Sequence, residues 1–336
     1  MRVLERLEQL YAIGGGPGAN RPHPSAAEDE AHELAASWMR EAGLEVEVDP
    51  SGNLLGRAAR SDRIWVGSHL DSVPQGGRFD GALGVVAAIE AVEDVGAGTV
   101  VAFRGEEVGC IGSRALVARG PDLPSHFLEL HVEQGPRLAQ AEAPLGVVTG
   151  IVGYVRGGLV FDGRAGHAGT TPMDAREDAL VAAAQAILHV QEAARRIEGA
   201  VATVGRVEVE PGGINVVPGR VRISLDARAP TRETLDALVA AIGFEPGEQT
   251  EPVEMSKACR AVLREELETR ALPLVELASG AGHDAGILAA AGVEAGMLFV
   301  RSLSGGVSHS PDELSSDEDV ELGVEVLTDA LRRLIR

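Results

Sequence analysis

His69 and Asp71 stand two residues apart in Gly67-Ser68-His69-Leu70-Asp71-Ser72-Val73, and Asp80 follows in Gly77-Arg78-Phe79-Asp80-Gly81. Imidazole and carboxylate together suit a divalent metal of borderline or hard character. The same residue types recur down the chain. Glu106 and Glu107 follow the apolar run Val100-Val101-Ala102-Phe103. His131 lies in Leu128-Glu129-Leu130-His131-Val132-Glu133-Gln134-Gly135, and His283 sits in the Gly-rich turn Ser279-Gly280-Ala281-Gly282-His283-Asp284. His69, Asp80, Glu107, His131 and His283 could close around two metal ions that share one carboxylate, with open positions left for water and substrate.

Singly, each of these features is ordinary. A histidine in an apolar strand is usually a hydrogen-bonded core residue, a Glu pair is usually a solvated face, and Gly-Ala-Gly is usually only a turn. Their joint placement carries the reading, because each polar group follows or ends a strand-like run. Ile64-Trp65-Val66 reads as a short buried strand ahead of His69, and Ala82 to Val92 as an Ala- and Val-rich helix beyond Asp80. In an open α/β sheet, sites are built at that strand-to-helix edge. His23, His32, His126 and His189 lack this context and are given no role.

The elements that must position these groups can be read in outline. Residues 2–12 read as a helix, broken by Gly14-Gly15-Gly16-Pro17-Gly18. Ser25-Ala26-Ala27-Glu28 is a capping box for a helix to about Ala42. Leu44 to Val48 alternates as a strand, with a turn over Asp49–Asn53. From Ile64 to about Gln140 strands and helices alternate, which predicts a largely parallel or mixed sheet covered by helices. The texture then changes. Gly153–Asp162, Val201–Glu210 and Gly219–Ala227 read as strands, Ala175–Ile197 as a long helix, Thr231–Ile242 as a second helix, and a last strand falls near Glu251. This order suits a small two-layer α+β domain, and helices resume at Ser256. The expected fold is therefore an α/β, mixed-sheet hydrolase domain over residues 1–147 and 252–336. A smaller α+β, ferredoxin-like domain over 148–251 would be inserted in it as a lid and dimerisation unit.

Composition narrows the function classes. At 336 residues the chain has length for about two domains. Hydrophobic residues make up 45% but aromatics only 3%, so the core must be built mainly from Val, Leu, Ile and Ala. A net charge of −21 argues against nucleic acid and against anionic membrane surfaces as partners. Cys110 and Cys259 are far apart and unpaired in pattern, which favours a reducing compartment. No N-terminal apolar stretch reads as a signal peptide and no run of 18 apolar residues exists, so the expectation is a cytoplasmic protein.

The motifs also resemble a known family. Gly-Ser-His-Leu-Asp-Ser-Val, Gly-Gly-Arg-Phe-Asp-Gly, Glu106-Glu107, Glu-Leu-His-Val-Glu-Gln-Gly-Pro and Gly166-His167-Ala168-Gly169-Thr170-Thr171-Pro172-Met173 come first. Asn215-Val216-Val217-Pro218-Gly219, Asp226-Ala227-Arg228, Ser-Gly-Ala-Gly-His-Asp-Ala and Gly306-Val307-Ser308-His309-Ser310-Pro311 complete the set. In this order they resemble the M20 metallopeptidase-like enzymes, in the amidase/hydantoinase/carbamoylase branch of N-carbamoyl-L-amino-acid hydrolases, β-ureidopropionases and allantoate amidohydrolases.

The resemblance implies roles. His69, Asp80, Glu107, His131 and His283 would be ligands of two divalent ions (Zn, or Mn, Co or Ni), with Asp80 bridging. Asp71 would orient the His69 ring. Glu106 would be the general base, facing the attacking water while Glu107 faces the metal, as neighbours on an extended chain do. His167 and Asn215 would donate to the oxyanion, Arg228 would hold a substrate carboxylate bidentately, and Gln134 and Gly282 would add substrate contacts. A homodimer acting on a small carboxylate-bearing molecule is implied. His131 stands where aminopeptidase-like members usually place a carboxylate, which favours a ureido bond over a peptide bond. Two alternatives are an M20-type dipeptidase or aminoacylase, and a non-catalytic metal-binding dimeric protein. The chain departs from the family pattern in three places: only 24 positions separate Glu107 from His131, the end of the lid is short, and Arg301 stands where proline is common.

Overall fold

The computed structural model describes residues 2–120 and 123–335. It divides into two units, one formed by Met1–Ile151 with Glu254–Arg336 and the other by Val152–Val253.

The first unit is built on a mixed sheet. In spatial order its strands are Glu45–Val48, Leu54–Arg57, Ala97–Phe103, Arg60–His69, His126–Val132, Glu294–Val300 and Leu145–Ile151, with Glu276–Ser279 pairing parallel to the last. The four strands Ala97–Phe103, Arg60–His69, His126–Val132 and Glu294–Val300 are parallel neighbours. Period-2 alternation divides their side chains between two cores. Val100, Ala102, Leu128 and Leu130 face one side, while Val101, Phe103 and Phe127 face the other. The first side is covered by helices that include Val3–Ala12, Ala82–Val95 and Asp317–Leu334.

Local signals explain where these helices start. Ser25 Oγ accepts from the Glu28 N–H to cap Ala26–Glu41, but the Glu28 carboxylate turns to His23 instead of completing the box. Ser316 caps Asp317–Leu334, whose first turn carries Asp317, Glu318 and Asp319 at the positive end of the helix dipole. Arg301 spends its guanidinium on Asp319, with Nε and Nη2 each 2.8 Å from Oδ2, so this loop is anchored by an ion pair. Leu54–Arg57 is a strand that the sequence pattern did not mark. It bridges Glu45–Val48 to Ala97–Phe103.

The second unit is an antiparallel sheet in the order Val207–Glu210, Arg220–Ala229, Gly153–Asp162 and Pro246–Thr250, with Val201–Thr203 also paired to Arg220–Ala229. Helices Ala179–Arg196 and Arg232–Ile242 pack Val190, Leu235 and Leu238 against Val155, Leu225 and Ala227 of the sheet. Two expectations are corrected here. The first helix starts at Ala179 rather than Ala175, because the Asp178 carboxylate accepts from the Leu180 and Val181 amides and Met173–Ala175 forms a separate 3-10 turn. The run 201–210 is two strands, interrupted at Val204-Gly205-Arg206. No helix of the described residues is long and apolar enough to cross a membrane.

Candidate metal centre

The four parallel neighbours deliver their polar residues at their carboxyl ends, where α/β sheets build sites. His69 is the last residue of Arg60–His69, Glu106 and Glu107 follow Ala97–Phe103, and His131 is the penultimate residue of His126–Val132. The loop beyond Glu294–Val300 brings His309. Asp80 faces the three imidazoles. Its Oδ1 lies 3.3 Å from His131 Nε2 and 3.8 Å from His69 Nε2. Its Oδ2 lies 3.3 Å from His309 Nε2, which is 3.4 Å from Glu107 Oε2. The donors therefore fall into two groups, His69-Asp80-His131 and Asp80-Glu107-His309, with one Asp80 oxygen in each.

The chemistry of these donors fits a divalent cation. His69 Nε2, His131 Nε2 and Glu107 Oε1 are buried and have no hydrogen-bond partner. Such orphaned atoms are costly unless something binds them. The other imidazole nitrogens are held from behind, His131 Nδ1 by the Val132 carbonyl at 3.0 Å and His69 Nδ1 by Asp71 Oδ1 at 3.3 Å. Both Nε2 atoms are thereby turned inward. Burial works against ionised His131, but the Asp80 carboxylate beside it raises its pKa to about 9. Burial would push Asp80 up, yet the His131 imidazole 3.3 Å away and the charge of His69 hold it well below the usual carboxylate range. Burial, the largest cause, lifts Glu106 well above the usual carboxylate range, opposed by His69 and reinforced by Asp284, Glu107 and Asp80.

Asp71 does more than orient His69. Its Oδ1 accepts from the Glu106 amide and its Oδ2 from the Glu107 amide, each at 3.1 Å. The Glu pair sits in a turn, not on an extended chain, and the Cys110 amide closes that turn on the Glu106 carbonyl. The turn sends the two carboxylates apart: Glu106 Oε2 is 3.7 Å from His69 Nε2, while Glu107 meets His309. Gly81, at φ +64°, allows the Asp80 turn to approach this closely, since a Cβ there would sit 2.3 Å from the His69 ring.

His283 and Gln134 are placed differently from expectation. His283 joins neither Asp80 group; it falls in a third set with Glu129 and His131, its Nε2 bonded to Ser279 Oγ at 2.8 Å and its ring 4.6 Å from that of His131. His309 stands beside Asp80 and Glu107 in its place. Gln134 Nε2 donates to Asp80 Oδ2 and Ser308 Oγ, both at 3.1 Å, so this amide is spent on protein groups. Gly282 lies in the turn before His283, with open space where a side chain would project.

The remaining expected residues belong to the second unit. A two-stranded ladder pairs His167 with Val216, which places Asn215 next to that pair, and the Ala168 amide donates to the Asn215 carbonyl. The Gly169 amide donates to His167 Nδ1 at 3.1 Å, so the neutral ring carries its proton on Nε2. Arg176 ties the same loop through the carbonyls of Ala168 and Thr171. Arg228 is held by Asp226, which accepts from its Nε at 2.8 Å and its Nη2 at 3.2 Å.

Residues 65–333 match the sequence pattern of Peptidase family M20/M25/M40. The chain belongs to this family. Among its relatives, an N-carbamoyl-L-amino acid amidohydrolase of Geobacillus stearothermophilus is 38% identical, over 97% of this chain and 96% of the relative. An allantoate amidohydrolase of Bacillus subtilis (strain 168) is 32% identical, over 98% and 96%. A crystal structure of an amidase of the hydantoinase/carbamoylase family from Burkholderia multivorans superposes with a TM-score of 0.90 at 29% identity, covering 99% of this chain and 97% of that one. The first alignment runs over 395 positions against 336 residues here, so at least 59 of them have no counterpart in this M20 chain.

M20 enzymes are metal-dependent, and this member has donor groups for a metal. His309 lies in the motif Gly306-Val307-Ser308-His309-Ser310-Pro311 but escapes the strand-end pattern, because it stands nine residues beyond its strand. It also passed over Glu313, which is buried and accepts from the Phe79 and Asp80 amides. The periodicity of ligand-type residues after strands finds groups on strand ends and misses those delivered by a folded loop.

Proposed function

We propose that the chain is a dinuclear metal-dependent amidohydrolase that cuts the terminal C–N bond of an N-carbamoyl-L-amino acid, allantoate or a related ureido acid. Water adds across that bond, and ammonia, carbon dioxide and an amine result. The observation that carries this reading is the pair of donor groups sharing Asp80 beside Glu106, whose side chain is only 10% exposed. The names of the relatives supply the bond type. His69, Asp80 and His131 would hold one divalent ion, and Asp80, Glu107 and His309 the other, with Zn, Mn, Co and Ni all compatible with His and carboxylate donors. Such ions polarise the scissile carbonyl and make a water nucleophilic at neutral pH.

The protein groups do the rest. Glu106 takes the proton of the attacking water and returns it to the leaving nitrogen, and its burial suits it to hold that proton between the two steps. Asp71 fixes the height of both Glu side chains. His167 donates from Nε2, the tautomer set by Gly169, and Asn215 adds a second donor to the developing oxyanion. Arg228, already oriented by Asp226, binds the substrate carboxylate. His167→Ala is therefore expected to lower kcat by about 10²–10³ with little change in metal content, measured by steady-state kinetics beside elemental analysis.

In the same reading, residues 148–251 form an inserted ferredoxin-like lid and dimerisation domain, and the protein is a homodimer of the cytoplasm. Leu180, Val181 and Leu188, exposed on one helix of the second unit, support an apolar contact there. The deciding experiment is ammonia release by metal-reconstituted protein from N-carbamoyl-L-amino acids, β-ureidopropionate, allantoate and dipeptides. Ammonia from a ureido acid is the expected result. Free amino acid from dipeptides without ammonia would move the chain to the peptidase side, and full metal binding with no turnover would make it a binding protein.

A further inference from the structure

We propose that Glu313 is a positioning residue that ties the Asp80 turn to the His309 loop and so sets the second cation position. The inference rests on the dinuclear reading above. Glu313 Oε1 accepts from the amides of Phe79 at 2.7 Å and Asp80 at 3.2 Å, and its Oε2 accepts from the Ser308 hydroxyl at 2.8 Å. Ser308 Oγ in turn accepts from Gln134 Nε2, which also donates to Asp80 Oδ2. The contacts form a closed circuit: Asp80 backbone, Glu313, Ser308, Gln134 and back to the Asp80 side chain. Glu313 is 5% exposed and both its oxygens are engaged, so it serves the site through its neighbours. Gly77 leaves room for it, since a Cβ there would lie 2.1 Å from the Glu313 carboxyl carbon.

The two donor groups depend on this circuit unequally. His69 and His131 are buried on strands of the sheet and keep their places through it. The His309 side chain is 50% exposed, and its backbone holds φ +53°, uncommon for a residue with a side chain. Strain of this kind persists only where surrounding contacts over-determine it. Here those contacts are Ser308 to Glu313, the Glu313 amide to the Ser310 carbonyl, and the Leu303 amide to the Leu314 carbonyl. Loosening the circuit frees His309 from Asp80 and Glu107 without touching the strand-borne donors.

The test is stepwise zinc titration of metal-free full-length protein against a chromophoric chelator, for the parent, Glu313→Ala, Glu313→Gln and Ser308→Ala. The parent should take two equivalents. Glu313→Ala should bind the first within about threefold of the parent and the second about 10–100-fold more weakly, the range typical for loss of a group that orients a ligand. Glu313→Gln keeps an acceptor for the two amides and a polar contact to Ser308, and should restore the second equivalent to near the parent affinity. Ser308→Ala leaves the backbone contacts of Glu313 in place, and should weaken the second equivalent alone even if Glu313→Ala does not fold. Unchanged second-site affinity in Glu313→Ala or Ser308→Ala overturns the proposal, as does equal weakening of both equivalents. A parent that binds fewer than two equivalents overturns the dinuclear reading itself, a result distinguishable from the others because it needs no variant.

Discussion

Glu106→Gln should lower kcat by about 10²–10⁴, the usual span for removing a general acid–base group, while the protein still takes up two equivalents of metal. The substitution keeps the volume of the side chain and its backbone contact to Asp71 Oδ1. It removes only the ability to accept and return a proton. Glu106 lies 3.7 Å from His69 Nε2 but belongs to neither Asp80 donor group, which separates catalysis from binding in one experiment. Near-normal turnover with both ions bound would remove Glu106 from the mechanism. Loss of an ion would instead make it a ligand.

Asp80→Ala should have the broadest effect on binding. Asp80 is the member common to both donor groups, with Oδ1 toward His131 and Oδ2 toward His309. Orienting groups alone are typically worth about 10–100-fold in metal affinity, so loss of a shared donor should weaken both equivalents by at least ~100-fold, with turnover falling below detection. Chelator competition and a turnover assay on the same sample would check this. An Asp80→Ala protein that keeps one tight equivalent would show that the two groups do not share their carboxylate.

Much of this site could be read from the chain because its donors sit where apolar runs stop. His69 and Glu107 are announced by Ile64-Trp65-Val66 and Val100-Val101-Ala102-Phe103, and the same runs become adjacent parallel strands. His283 satisfied the same rule and yet packs against His131 and Phe299, because its preceding strand, Glu276–Ser279, pairs with Leu145–Ile151 outside the parallel quartet. Strand order is a tertiary fact that periodicity does not contain. His309 failed the rule for the opposite reason: a hydrogen-bonded loop, not a strand, carries it in. Gln134 had a side chain suited to a substrate, but the structure spends its amide on Asp80 and Ser308. The start of the helix at Ala179 was obscured by Pro172-Met173-Asp174-Ala175, whose helical look is exhausted in a 3-10 turn.

The donors run from His69 to His309 in the sequence, and Val152–Val253 interrupts the unit that holds them. A nascent chain that has left the ribosome only as far as His131 can offer His69, Asp80 and Glu107 as well, but it lacks Glu294–Val300, the strand paired beside His131. Nor does it have the loop that supplies the last imidazole. Pairings this distant in sequence form late. On the two-ion reading proposed above, a second cation would be captured only after translation has passed residue 309 and the interrupted unit has closed. A metal bound there would then stabilise the completed fold by the ordinary mass action of a ligand that favours the native state.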